Sequence, residues 1–142
     1  MNGNSVRWWY RVALSLLAVT AFLPLIQFSD GRVVTLMAPN FAAITLTSVI
    51  TMALFFLMLA STAIAVEVER YSLARVGGAL LLFTISIGFL VTYAVLLSAP
   101  VSFAPRLGFG WWVINVAVAL LIWAMHISSD NKRVSTTHVE IK

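Results

Sequence analysis

The residues that could carry chemistry sit near the ends of long apolar runs. The charged stretch 67–75 contains Glu67, Glu69, Arg70 and Arg75. Two neighbouring carboxylates can attract a cation or dock a basic partner. A carboxylate at a helix C-terminus opposes the helix dipole, however, and Arg70, Arg75 and lipid headgroups are the expected compensation. The simplest product is an interfacial salt-bridge cluster. Asn115 is the most polar residue well inside an apolar run, where a hydrogen bond across helices is its expected use. His126 lies near the end of the same run, beside Trp123 and Met125. Haem in a membrane bundle takes axial histidines from facing helices, and one histidine at membrane level does not supply them. His138 stands in the C-terminal segment without further ligands nearby, so a zinc site finds no support.

Other chemistries are excluded by what the chain lacks. It has no cysteine, which removes disulfides, thiolate metal sites and thiol redox catalysis within the chain. No Gly-x-Ser-x-Gly, His-Glu-x-x-His or phosphate-binding glycine loop occurs. The apolar runs hold no Asp, Glu, Lys or Arg, the usual marks of proton relay and transport. These features point away from an enzyme, and no cofactor or metal is expected.

The elements that must position these residues follow from composition. Of the 142 residues, 61% are hydrophobic and 10% charged, against about 25% charged in soluble domains. Mean hydropathy is +0.99. Such a chain cannot cover itself with polar surface, and the bilayer is the plausible solvent. Residues 41–66 and 76–98 carry no charge. Each is long enough to cross a hydrocarbon core about 30 Å thick as a helix. Strict polar–apolar alternation is absent, which argues against barrel strands. A span over 12–28 and another over 111–127 complete an all-α, antiparallel bundle of four transmembrane helices in a single domain. Arg7, Trp8, Trp9, Tyr10 and Arg11 before the first span suit the headgroup region, as do Trp111 and Trp112 at the start of the last. Pro24 should kink or end the first helix. Asp30-Gly31 is a turn signal between strand-compatible residues, so a small surface hairpin is expected there. The loop 99–110 is apolar, and its prolines and glycines discourage a long helix. Residues 128–142 read as a polar, weakly ordered tail.

The second span carries Thr45, Thr47, Ser48, Thr51, Ser61 and Thr62. Their hydroxyls can bond back to their own helix or across to another. In the third, Gly77 and Gly78 open the helix, and Thr84, Gly88 and Thr92 follow at spacing four. Small residues at that spacing allow close backbone approach, so this face should meet another helix.

Charge placement sets orientation. With four spans, Arg7, Arg11, Arg70, Arg75, Lys132, Arg133 and Lys142 share one side, while Arg32 and Arg106 lie on the other. The bias puts both termini in the cytoplasm. The net charge of +4 is then an orientation signal with some attraction to anionic lipid, and nucleic acid is not an expected partner. The expected function is that of a small non-catalytic protein of the cell membrane. It would be an accessory or scaffold subunit whose partners are lipids and either other membrane subunits or itself. The alternative is a homo-oligomeric channel or small-solute transporter, using the hydroxyl face of the second span, Asn115 and a Glu67/Glu69 mouth.

Overall fold

The structure is a computed structural model that describes residues 3–29, 31–35, 46–98 and 106–137. It is mainly helical, with α1 (Gly3–Thr20), α2 (Leu46–Glu67), α3 (Tyr71–Ser98) and α4 (Phe109–Thr137). Strands β1 (Ile26–Gln27), β2 (Val33–Val34) and β3 (Arg106–Leu107) form one small sheet. Three helices contain stretches long and apolar enough to cross a membrane: Val49–Glu67, Tyr71–Leu90 and Phe109–Ser129. The shorter α1, which includes Arg7 and Arg11, does not meet that standard by itself.

The helices run up, down, up, down. α1 packs chiefly on α4 and α2 chiefly on α3, while smaller α1–α2 and α3–α4 contacts close the ring. The inward residues repeat with alternating steps of four and three. In α1 they are Val6, Tyr10, Ala13, Leu17 and Thr20; in α4 they are Ile114, Ala117, Leu121, Ala124 and Ser128. This is the seven-residue repeat of left-handed, near-antiparallel packing. α3 follows it with Ala74, Gly78, Leu81 and Ile85. The α1–α4 contact is pinned at both ends. Tyr10 Oη and Ser128 Oγ lie 3.4 Å apart, and the Gly110 amide donates to the Pro24 carbonyl at 3.0 Å. Between Gly110 and Ser128, α4 rises about 27 Å, and α1 with the turn after it accompanies that whole length.

The first helix departs from the expected range of 12–28. It begins at Gly3, because Arg7 and Arg11 are compatible with helix and need only reach a polar partner. It ends at Thr20, before Pro24. Proline has no N–H and disfavours helical geometry at Leu23, so the chain closes with short turns, Phe22 N to Val19 O at 3.1 Å and Leu23 N to Thr20 O at 3.2 Å. It then enters β1. The hairpin signalled by Asp30-Gly31 is present: Ile26 pairs with Val34 and Gln27 with Val33, and Gly31 takes a left-handed φ of 83°. β3 joins β1 from the other edge, with Ile26 opposite Leu107 and Gln27 opposite Arg106. The sheet order β2-β1-β3 thus ties the α1–α2 connection to the α3–α4 connection. At the other end of the bundle, α2 and α3 are separated only by residues 68–70, so α3 starts before residue 76. α4 runs on past residue 127 to Thr137, since a polar composition does not prevent a helix. The expected start of the second span, 41–45, lies outside the described residues.

Candidate functional site

The turn between α2 and α3, the N-terminal part of α1 and the C-terminal part of α4 meet at one end of the bundle. The turn is built as a helix stop. The Arg70 amide donates to the Ala65 carbonyl at 2.9 Å and the Glu69 amide to the Val66 carbonyl at 3.1 Å. This is the paired bonding of a Schellman cap, which needs a left-handed residue at its hinge. That residue is Glu69, with φ 58°. A glycine is the usual occupant, because a left-handed conformation costs an L-residue about 1–2 kcal/mol. Glu69→Gly and Glu69→Ala both lose the carboxylate, but only glycine relieves the backbone. The glycine variant should therefore be the more stable by about 1 kcal/mol in reversible unfolding in mixed micelles. Equal stabilities would mean the hinge is not left-handed.

The Glu69 carboxylate pairs with Arg7. Arg11 meets Glu67 in a two-pronged contact, with Nε and one terminal nitrogen each 2.7 Å from a carboxylate oxygen. Arg7 and Arg11 are one helical turn apart and share a face. Their partners follow in reverse order at the end of α2 and in the turn after it, as antiparallel neighbours require. Hydrogen bonding to Glu67, followed by the charge of that carboxylate, raises the Arg11 pKa. The expected compensation by Arg70 and Arg75 is replaced by α1. Arg70 is exposed and instead serves α3 through its backbone: its carbonyl accepts from the Leu73 and Ala74 amides at 2.9 and 3.0 Å. Arg75 is half-buried, with its Nε unbonded among the described residues. Its charge acts on Tyr10, whose hydroxyl is held above its ordinary pKa mainly by burial. The Ser128 hydrogen bond and Arg75 oppose that rise, and Tyr71 adds to it.

Arg7, Arg11, Tyr10 and Ser128 therefore belong to this end although sequence reasoning singled out none of them as site residues. The signal available was the four-residue spacing of Arg7 and Arg11 before a span, matched by the acidic pair after the next. Below the Arg11–Glu67 contact, α1 and α2 part slightly. A groove of about 220 Å³ opens there, lined by Leu14, Ala18, Leu59, Ala63 and Val66 with Ser15 at its side.

The remaining candidates are dispersed. Asn115 is exposed on α4 and donates Nδ2 to the Trp111 carbonyl of its own helix at 2.7 Å. His126 is exposed near the other end of α4, its ring centroid 6.4 Å from that of Trp123. Gly77 and Gly78 face different helices. A methyl on Gly77 would land on the Thr62 hydroxyl of α2, and one on Gly78 would lie 2.9 Å from the Met125 sulfur of α4. Thr84 donates to its own Leu80 carbonyl at 2.9 Å and lies 4.0 Å from the Met58 sulfur. Gly88 is half-buried on α3. Thr92 belongs to α3 as well, but its side chain lies outside the described residues.

The arrangement can clamp helices and present a paired, locally neutral charge cluster to a headgroup layer. Among the described residues, no group of three His, Cys, Asp or Glu gathers in a way that could hold a metal. No protein-family model matches the chain, and neither a curated protein nor a solved structure does.

Proposed function

We propose that this chain is a non-catalytic protein of the cell membrane, with four antiparallel spans and both termini in the cytoplasm, acting as an accessory or scaffold subunit of a larger membrane assembly. The observation that carries the reading is how its polar groups are used. Thr20, Ser61, Thr62, Thr84, Ser86 and Ser128 return their hydroxyls to carbonyls of their own helices. Arg7 and Arg11 are taken up by Glu69 and Glu67. These hydroxyls are thus spent within their own helices and the two arginines on tying α1 to the end of α2, and the large surface left over is apolar: Leu57, Ile64, Phe83, Leu90 and Trp112 are all exposed. That surface suits lipid and neighbouring membrane proteins.

Four spans rather than three are supported by the course of α1. Its N-terminal part lies beside the α2–α3 turn, and the segment after it lies beside the start of α4. The polypeptide between runs alongside α4 over that length. Orientation follows from the cations, since Arg7, Arg11, Arg70 and Arg75 lie at the turn end and Arg32 and Arg106 at the sheet end.

Native mass spectrometry after gentle extraction from the source membrane tests the subunit reading. The expected result is a stoichiometric complex with larger membrane proteins. Recovery only as self-complexes, with solute flux in proteoliposomes that Asn115→Leu or Thr51→Val abolishes, would overturn it in favour of a channel or carrier. Topology is checked separately, because the chain has no cysteine of its own. In sealed inside-out vesicles, cysteines replacing Asn4 or Ser72 should react with an impermeant maleimide and one replacing Val33 should not. Protection of the Asn4 site alongside Val33 would remove the first span.

A further inference from the structure

The outward face of α4 carries a polar group that its own chain leaves half-satisfied. Trp112, Asn115, Val116, Ala119, Ile122, Trp123 and His126 are all exposed and form one stripe with the same alternating steps as the inward face. Asn115 lies about 9 Å inside the span that begins at Phe109, at a depth where lipid offers no hydrogen bonds. An asparagine amide has two N–H donors and one carbonyl acceptor. One N–H is used on the Trp111 carbonyl, and among the described residues nothing answers the Oδ1 or the second N–H.

A second copy of the same chain answers both. All copies in a membrane share one orientation, so a two-fold axis along the membrane normal sets α4 beside a parallel α4. Every residue of the stripe then faces its own equivalent at its own depth. The free N–H of each Asn115 meets the free oxygen of the other, a reciprocal exchange that a donor-only or acceptor-only side chain could not make. Ala119, one turn along, is small enough for the helices to approach closely. The steps of three and four match the seam of a parallel left-handed pair. We propose that α4 is a self-association face, on which two copies pair through Asn115.

The inference requires only that α4 crosses the bilayer. A native sample lacking larger proteins would sink the accessory-subunit reading and leave this one standing. The test uses the full chain in liposomes of phosphatidylcholine and phosphatidylglycerol at low protein density. Ala119→Cys should cross-link into a dimer on mild oxidation, while Leu80→Cys, on the exposed face of α3, should not. Adding Asn115→Val should lower the Ala119→Cys cross-linked fraction at least fivefold, and Asn115→Gln should retain most of it. Asn115 is exposed and, among the described residues, bonds its own helix, so the thermal unfolding of Asn115→Val should match wild type. Single-molecule photobleaching of the labelled wild-type chain should give two steps. Equal cross-linking at both cysteine positions, cross-linking indifferent to Asn115→Val, or single-step bleaching would each overturn the proposal.

Discussion

Gly108→Ala should cost more stability than any other single methyl added at the sheet end, about 3 kcal/mol, at the top of the usual range for overpacking. Gly108 lies where β3 passes into α4 and crosses the turn that follows α1. Its amide donates to the Leu25 carbonyl at 2.8 Å. A Cβ built on it would fall on the Pro24 carbonyl oxygen, 2.8 Å from the carbonyl carbon and 3.2 Å from the Leu25 carbonyl carbon. All of these atoms are backbone, so no rotamer change relieves the collision. Moving the strand away would break the β1–β3 pairing and expose Leu25 and Ile26, which are buried. Gly110→Ala acts in the same direction, with Pro24 O at 2.8 Å and Leu23 Cβ at 2.9 Å. Gly31→Ala is the comparison that isolates conformation from contact. A methyl there meets open space, and only the left-handed φ is penalised, by about 1 kcal/mol. Unfolding in mixed micelles should therefore rank Gly108→Ala well below Gly31→Ala. Gly108→Ala at wild-type stability would mean that β3 does not pack against the turn.

The same junction shows why some of the fold could be read from sequence and some could not. The long helices α2, α3 and α4 are legible because uncharged runs of spanning length have few other uses. The α2–α3 turn is legible because Glu67 and Arg70 cannot sit in hydrocarbon. The hairpin is legible through Asp30-Gly31, whose glycine takes the left-handed conformation. β3 is not, because Arg106-Leu107 is too short to show any period and pairs only with residues remote in the chain. The extents of α1 and α4 were hidden because absence of charge measures compatibility with lipid, not helicity. Arg7, Arg11 and most of residues 130–137 are charged or polar and helical all the same. The inward faces are hidden for a deeper reason. In water a helix shows its buried side by polarity, but here lipid and interior are both apolar. Size separates the faces of α4 in part: Ala117 and Ala124 point inward and Trp112 and Trp123 outward, although Ala119 is outward too. Small residues allow backbones to approach, and that signal is visible in α3 at Gly77-Gly78 but is diluted in α4 by Ile114 and Leu121. The charge cluster was half legible. The acids stood out in the turn, while their partners on α1 became evident only once α1 and α2 were antiparallel neighbours.

Gly77 and Gly78 should respond very differently to the same methyl, although they are adjacent and chemically identical. A Cβ at Gly77 would occupy the position of the Thr62 hydroxyl and lie 3.2 Å from the Thr62 Cβ. Thr62 is fully buried and donates to the Met58 carbonyl at 2.7 Å. To make room the hydroxyl must abandon that bond and remain buried without another, or α2 and α3 must separate. Either route costs about 2 kcal/mol. At Gly78 the obstacle is the Met125 sulfur at 2.9 Å. It ends a flexible side chain that can swing aside, so Gly78→Ala should cost less than about 1 kcal/mol. A double-mutant cycle decides whether the contact itself is responsible. Thr62→Ala removes the obstructing hydroxyl, so Gly77→Ala in that background should lose most of its penalty, a coupling of about 1–2 kcal/mol. Thr62→Ala should give no such relief to Gly78→Ala. If the Gly77 penalty persists without the hydroxyl, its cause is the Cβ of residue 62, 3.2 Å from the added methyl, and not the hydroxyl. If the coupling is found, α2 and α3 approach each other closely at Thr62, within about two turns of Glu67 and Glu69, which meet Arg11 and Arg7.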